Sequence, residues 1–196
     1  MNILIDRLPE CVIANGGRFS IVTDYRAAVA FEIMVDSGET DIYKLIAPFY
    51  PHGIPQDIEG AVNAALWLYG GGEEQPETKE KSDKAKPYSF EFDADIIFSD
   101  FWRHYNIDLS TETLHWWAFR ALLAGLPEES GYKQRIYYRT CNLKGMPKAE
   151  QERIKRIRGI IAINKKTGNK KLSLEERNAL MLEYVAKRSA EVEKGG

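Results

Sequence analysis

Ala94, Ile97, Phe98, Phe101, Trp102 and Tyr105 recur at i, i+3, i+4, i+7, i+8 and i+11, an apolar stripe of helical period that no strand can gather on one face. A helix is required here. Asp93 stands at its cap position, and Asn106 can close it in the left-handed region. A second helix is expected from Ser110 to Gly125, with Ser110 as N-cap, Leu109 and Leu114 as a hydrophobic staple, and Gly125-Leu126-Pro127 as the stop. Leu114, Trp116, Trp117, Phe119, Leu122 and Leu123 make this helix apolar almost all round. Adjacent tryptophans project about 100° apart on a helix, so one core accepts both only when the helix is covered on several sides. Core packing is the first reading for Trp116 and Trp117, and oligomerisation is the natural cover for what one core leaves open. Trp102, Tyr105, Trp116, Trp117, Phe119 and Arg120 are therefore the candidate protein-binding residues.

The elements on either side are shorter and punctuated. Two apolar runs, Cys11 to Ala14 and Phe19 to Val22, flank Asn15-Gly16-Gly17, the local signature of a β-hairpin. Thr23 or Asp24 then caps a helix carrying Ala27, Ala30, Phe31, Met34 and Val35 and ending at Gly38. A short helix over Asp41 to Phe49 and a third from about Gln56 to Gly70-Gly71-Gly72 follow, separated by Pro51, Gly53 and Pro55. Residues 73–87 hold one apolar side chain, Ala85, too little buried surface to offset the entropy of ordering. Beyond the aromatic pair, Glu129 to Thr140 reads as a helix, and Pro147 opens a basic one with Ile154, Ile157, Ile160 and Ile161 on one side. Lys165 to Lys171 is expected as a basic turn, and Ser173 with Glu176 as the capping box of a last helix, Leu174 to about Glu193. The expected architecture is mainly α with a small N-terminal β-hairpin, two helical subdomains joined by a flexible linker. The divisions fall at 1–71, 72–87, 88–164 and 165–196.

The net charge of −2 conceals a segregation. Residues 1–132 carry 10 Lys/Arg against 22 Asp/Glu, whereas residues 133–171 carry 13 against 2. An acidic body precedes a basic arm, which suits an anionic partner or head-to-tail pairing of copies. Arg135, Arg139, Arg153, Lys155, Arg156 and Arg158 form the candidate basic face. Tyr137 and Tyr138 interleave with it as a nucleic-acid surface would require, but a pI near 6.0 disfavours that partner, and a solvated or protein-binding face is the better reading. The start MNILIDRLPE has no signal-peptide pattern. The longest apolar run, Ala61 to Tyr69, falls far short of the roughly 20 residues that span a bilayer, so a cytosolic protein without a membrane partner is expected. Cys11 and Cys141 are expected as free thiols.

Chemistry-bearing patterns are sparse. Glu91, Asp93 and Asp95 suit the positive end of a helix dipole better than a metal cage, and His52, His104 and His115 lack ligand spacing. No nucleophile motif or phosphate loop occurs, and the triple glycine reads as linker flexibility. Neither catalytic residues nor a metal or other cofactor is expected, and the chain is not read as an enzyme.

YSFEFDADIIFSDFWRHYNIDL, then LHWWAFRALLAGLPEESGYKQRIYYRTCNL, then the basic MPKAEQERIKRIRGIIAIN resembles the "gene product fifteen" family of tailed phages and prophages of Gram-positive bacteria. The LHWWxFxALLxGL core, Leu114 to Leu126, is the most specific part. The resemblance implies a tail assembly chaperone: a protein that coats the tape measure protein in the host bacterial cytoplasm during phage assembly and keeps it soluble, with self-association along the client. It implies no catalytic residue. A structural tail component, or a nucleic-acid-binding phage regulator using Lys133 to Lys171, are the alternatives.

Overall fold

The computed structural model describes residues 3–72 and 87–163. Most of the expected linker, the basic turn from Lys165 to Lys171 and the helix from Leu174 to about Glu193 lie outside the described residues. Within them the chain forms a two-stranded hairpin, β1 (Cys11–Ala14) and β2 (Gly17–Ser20). Seven helices follow: α1 (Tyr25–Asp36), α2 (Ile42–Ile46), α3 (Ile58–Gly70), α4 (Ala94–Tyr105), α5 (Trp116–Ala124), α6 (Gly131–Thr140) and α7 (Lys148–Ile160). The fold is mainly α with a small β-hairpin. None of these helices is long and apolar enough to cross a membrane.

Local signals set most of the boundaries. Asn15 and Gly16 both take positive φ, 48° and 76°, the two-residue turn whose twist matches the antiparallel register Ala14 with Gly17 and Val12 with Phe19. Val12 and Phe19 face the core, and Ile13 stands outward. The second strand ends two residues before Val22, because the Val22 N–H leaves the ladder to bond the Phe49 carbonyl at 3.0 Å. Asp24, Asp41 and Asp57 each accept a first-turn N–H of α1, α2 and α3, answering donors that the helix itself leaves orphaned. Asn106 closes α4 with φ 56°, as its position predicts.

The two expected subdomains are one. Buried residues from before the undescribed stretch, among them Val12, Phe49 and Leu68, share a single cluster with Phe101, Trp116 and Phe119 from after it. Tyr25 stacks on Phe119 with ring centroids 4.5 Å apart, and Phe101 stacks on the same ring at 5.0 Å. The composition shift at 72–87 does not divide the described residues into two cores.

Two backbone bonds stitch the halves together, and they also correct the expected start of α5. The Tyr25 N–H donates to the Leu114 carbonyl at 2.9 Å, and the Trp116 N–H to the Thr23 carbonyl at 2.7 Å, a short antiparallel bridge between the helix entries. The Asp24 carboxylate accepts from the Leu114 N–H at 3.3 Å, and Tyr25 and Arg26 donate to the Leu109 carbonyl. Residues 108–112 form a turn around Asp108, so Ser110 caps nothing and the helix begins only at Trp116. His115 takes the cap instead. Its Nδ1 accepts the Trp117 N–H at 3.1 Å while Nε2 bonds the Pro9 carbonyl at 3.1 Å, which fixes the neutral, Nε2-protonated ring.

Burial, opposed by the Pro9 bond, holds His115 below its ordinary pKa. The folded state therefore binds this proton less readily than the unfolded chain, and the His115 contribution is complete above the unfolded value and lost as pH falls below it. Urea midpoints should drop between about pH 7.5 and about pH 5.5, and His115→Asn, which keeps a capping oxygen without a titrating ring, should shrink that drop.

Candidate functional site

α5 is positioned by what it does to the end of α3. The last carbonyls of a helix have no partner within it. Trp116 Nε1 donates to the Tyr69 carbonyl at 2.9 Å, Trp117 Nε1 donates to the Leu68 carbonyl at 2.6 Å, and Arg120 Nη1 adds a bond to Tyr69 at 3.2 Å. Three side chains of one helix thus cap another, and the guanidinium also meets the negative end of its dipole. Adjacent indoles can both be buried, at 3% and 7% exposure, because α3 offers each a polar partner. Gly71 and Gly72 belong to the same joint. Both take positive φ, and a Cβ on Gly72 would lie 2.7 Å from Trp117 Cη2, so these glycines are packing requirements of the joint as well as its left-handed turn.

α4 carries the opposite kind of surface. Ile97 and Phe101 face the core, and Asp100 beside them is buried with its carboxylate on the Tyr132 and Gly131 N–H groups at 2.7 and 3.2 Å, capping α6 from outside its own chain segment. Phe98 and Trp102 fall on the outer side, stacked on each other at 6.5 Å and exposed at 39% and 51%. The stripe that fixes this helix is therefore wider than the face it buries. Tyr105 is half-buried with its hydroxyl on the Leu122 carbonyl at 2.7 Å.

Much of the expected basic face is turned inward. Asp93 is wholly buried and accepts Arg135 at 2.7 Å, Arg139 at 2.6 and 2.8 Å and the Ser89 N–H at 3.0 Å. Burial alone would raise its pKa, but the Arg139 and Arg135 hydrogen bonds with that of Ser89 outweigh it and hold the carboxyl below the usual range. Asp93 is the N-cap residue of α4 by position only. Its carboxylate is spent joining α4 to α6, not capping. Arg158 donates to the carbonyls of Tyr138 and Cys141 and ties α7 to α6. Only Arg153, Lys155 and Arg156 remain exposed, the first two paired with Glu150 and Glu152 at 3.1 and 2.9 Å.

A cleft of about 390 Å³ lies beside the α3–α5 joint, lined by Glu32, Tyr69, Tyr88, Trp116, Arg120 and Tyr132 among others. Tyr69 donates to Glu32 at 2.8 Å. Burial first, and then the nearby Glu32 charge, raise the Tyr69 and Tyr88 phenols far above their ordinary value. They stay protonated donors, so the cleft presents no base of its own from these phenols. Among the described residues no three His, Cys, Asp or Glu side chains gather as a metal cage.

The family model for the bacteriophage Gp15 protein matches residues 4–163. This chain belongs to the bacteriophage Gp15 protein family. Comparisons with curated proteins and with solved structures gave no match. In this Gp15 chain, the candidate protein-binding residues divide by position. Trp116, Trp117 and Phe119 are core, Tyr105 is anchored, Arg120 is an exposed cap on α3, and Trp102 alone is an open aromatic surface. Phe98, its stacking partner, was hidden in the stripe. The i, i+4 spacing of two bulky rings at the margin of an apolar face is the signal that marks it.

Trp117→Ala should cost about 3–5 kcal/mol in urea unfolding, as expected when a buried aromatic ring is removed. Trp102→Ala should change stability by only about 0.5 kcal/mol in the same assay. Asp93→Ala should cost about 3 kcal/mol, because it leaves two partly buried guanidinium groups with carbonyl partners but no counter-charge, and Arg135 keeps some access to water.

Proposed function

We propose that this Gp15-family chain is a tail assembly chaperone that holds the tape measure protein in soluble form in the host bacterial cytoplasm while tail tube subunits polymerise around it. The observation that carries the reading is the stacked Phe98–Trp102 pair, standing outward on a helix whose other face is firmly packed. Exposed paired aromatics on a rigid element are the chemistry of protein contact, where large rings give area at little conformational cost. Membership of a phage family supplies the setting. The inward turn of Arg135, Arg139 and Arg158 supports a protein client over nucleic acid, since those cations are already committed to Asp93 and to carbonyls. No group on α4 or α5 is arranged as a nucleophile with its base, and the function proposed is non-enzymatic.

Co-expression with the tape measure protein tests this. A recovered complex and a rise in soluble client are expected, and an insoluble client with nothing captured would sink the reading. Mass spectrometry of purified particles separates the chaperone from a structural tail component. The chaperone should be scarce there, and many copies per particle would favour the structural role.

A further inference from the structure

We propose that the outward strip of α4 is one half of a head-to-tail contact whose other half is the outward strip of α7 on a second copy of this chain. On α4 the strip is Asp95, Phe98 and Trp102, at i, i+3 and i+7, all exposed. On α7 it is Arg153, Arg156 and Ile160, at the same spacing and likewise exposed, with Ile160 open at 83%. Each series spans about 10 Å of helix at about 1.5 Å per residue, so the two run in register when the helices lie parallel. Asp95 then meets Arg153, the Arg156 guanidinium lies over the Phe98 and Trp102 rings, and Ile160 covers the far edge of the indole. The antiparallel arrangement sets Asp95 against Ile160 and wastes both.

Three observations name a second copy as the occupant. The first is the complementarity of the two strips in charge, shape and spacing. The second is charge: the chain up to residue 132 carries 22 acids against 10 bases, whereas the exposed outer side of α7 keeps Arg153, Lys155 and Arg156 after Arg135, Arg139 and Arg158 have turned inward, which favours approach of α7 to the acidic part of another copy. The third is that Arg153 and Arg156 are committed neither to Asp93 nor to the α6 carbonyls, and Arg153 meets only the exposed Glu150 of its own helix, a surface pair that a second partner can displace. Because the two strips differ, the contact is heterologous. Each copy that joins leaves one strip free at either end, so the assembly grows in an open row unless geometry closes it. The contact is one helix on one helix, smaller than a standard interface, and is therefore weak for a single pair. It forms without a client, and because the Phe98 and Trp102 rings cannot hold a neighbouring copy and a client at once, the two compete for the α4 strip.

The test is sedimentation of the full chain without any client. At low salt the weight-average mass should climb past that of a dimer as concentration rises, and about 1 M salt, with a Debye length of about 3 Å, should reverse much of the climb. Trp102→Ala, and separately the double variant R153E/R156E, should each weaken association by roughly tenfold or more while circular dichroism stays that of the parent. Asp95→Lys is a second, independent lesion of the α4 strip. The deciding experiment mixes the Trp102→Ala chain, whose α7 strip is intact, with the R153E/R156E chain, whose α4 strip is intact. A one-to-one complex that stops at two chains is expected. A wild-type chain that stays monomeric, variants that associate like the parent, or a mixture that forms nothing would each overturn the proposal. Failure here with a captured tape measure protein would leave the chaperone reading in place, and the reverse result would leave this contact in place.

Discussion

Two indole N–H groups on the last carbonyls of α3 hold this fold in its one arrangement. A helix end needs partners for its carbonyls; the Gly71 and Gly72 N–H groups turn back to Leu68 and Trp67, while the Tyr69 carbonyl depends on side chains of α5. Trp116 and Trp117 meet this demand and at the same time bury the two largest side chains of α5. The position of Arg120, the left-handed turn at Gly71 and Gly72 and the stack of Phe119 between Tyr25 and Phe101 follow from that joint. A polar requirement places α5, and hydrophobic burial then makes the placement favourable.

The second half of the molecule uses buried acids in the same way. Asp93 and Asp100 lie on the inner side of α4 and both reach α6, one through two arginines and the other through the first N–H groups of the helix. Asp93 thereby takes two cations out of the surface electrostatics, and Asp100 answers the backbone donors at the start of α6. What the linear charge pattern presents as a basic arm is in space a structural bracket plus a short exposed strip on α7.

Local chemistry was legible and long-range chemistry was not. The hairpin, the Asp24 cap of α1 and the Asn106 closure of α4 each depend on residues a few positions apart, and their positions are readable in the sequence. Ser110 carried as good a capping signal, yet it lost to a bridge formed with Thr23 and Tyr25, some ninety residues upstream. The sequence leaves the tryptophan pair between core packing and an external cover, because its hydrogen-bond partners belong to α3, beyond an intervening polar stretch. Within the candidate site, Trp102 was legible from the α4 stripe, whereas the inward fate of Arg135 and Arg139 depends on a buried acid that also suits a helix start. Periodicity reports which faces are apolar, and it does not report which buried carbonyl or carboxylate a distant side chain will find.

The bridge between the entries of α1 and α5 also sets an order of events during folding. Thr23 and Tyr25 meet Leu114 and Trp116 only after a loop of about ninety residues has closed, an entropic cost that local helix formation cannot share. The hairpin and first three helices can gain their local hydrogen bonds early, but Tyr25 and the end of α3 lack their packing partners until α5 arrives. On a ribosome, the nascent N-terminal half must wait with that apolar surface uncovered until the LHWW segment has emerged, so completion of the core is coupled to how far synthesis has progressed.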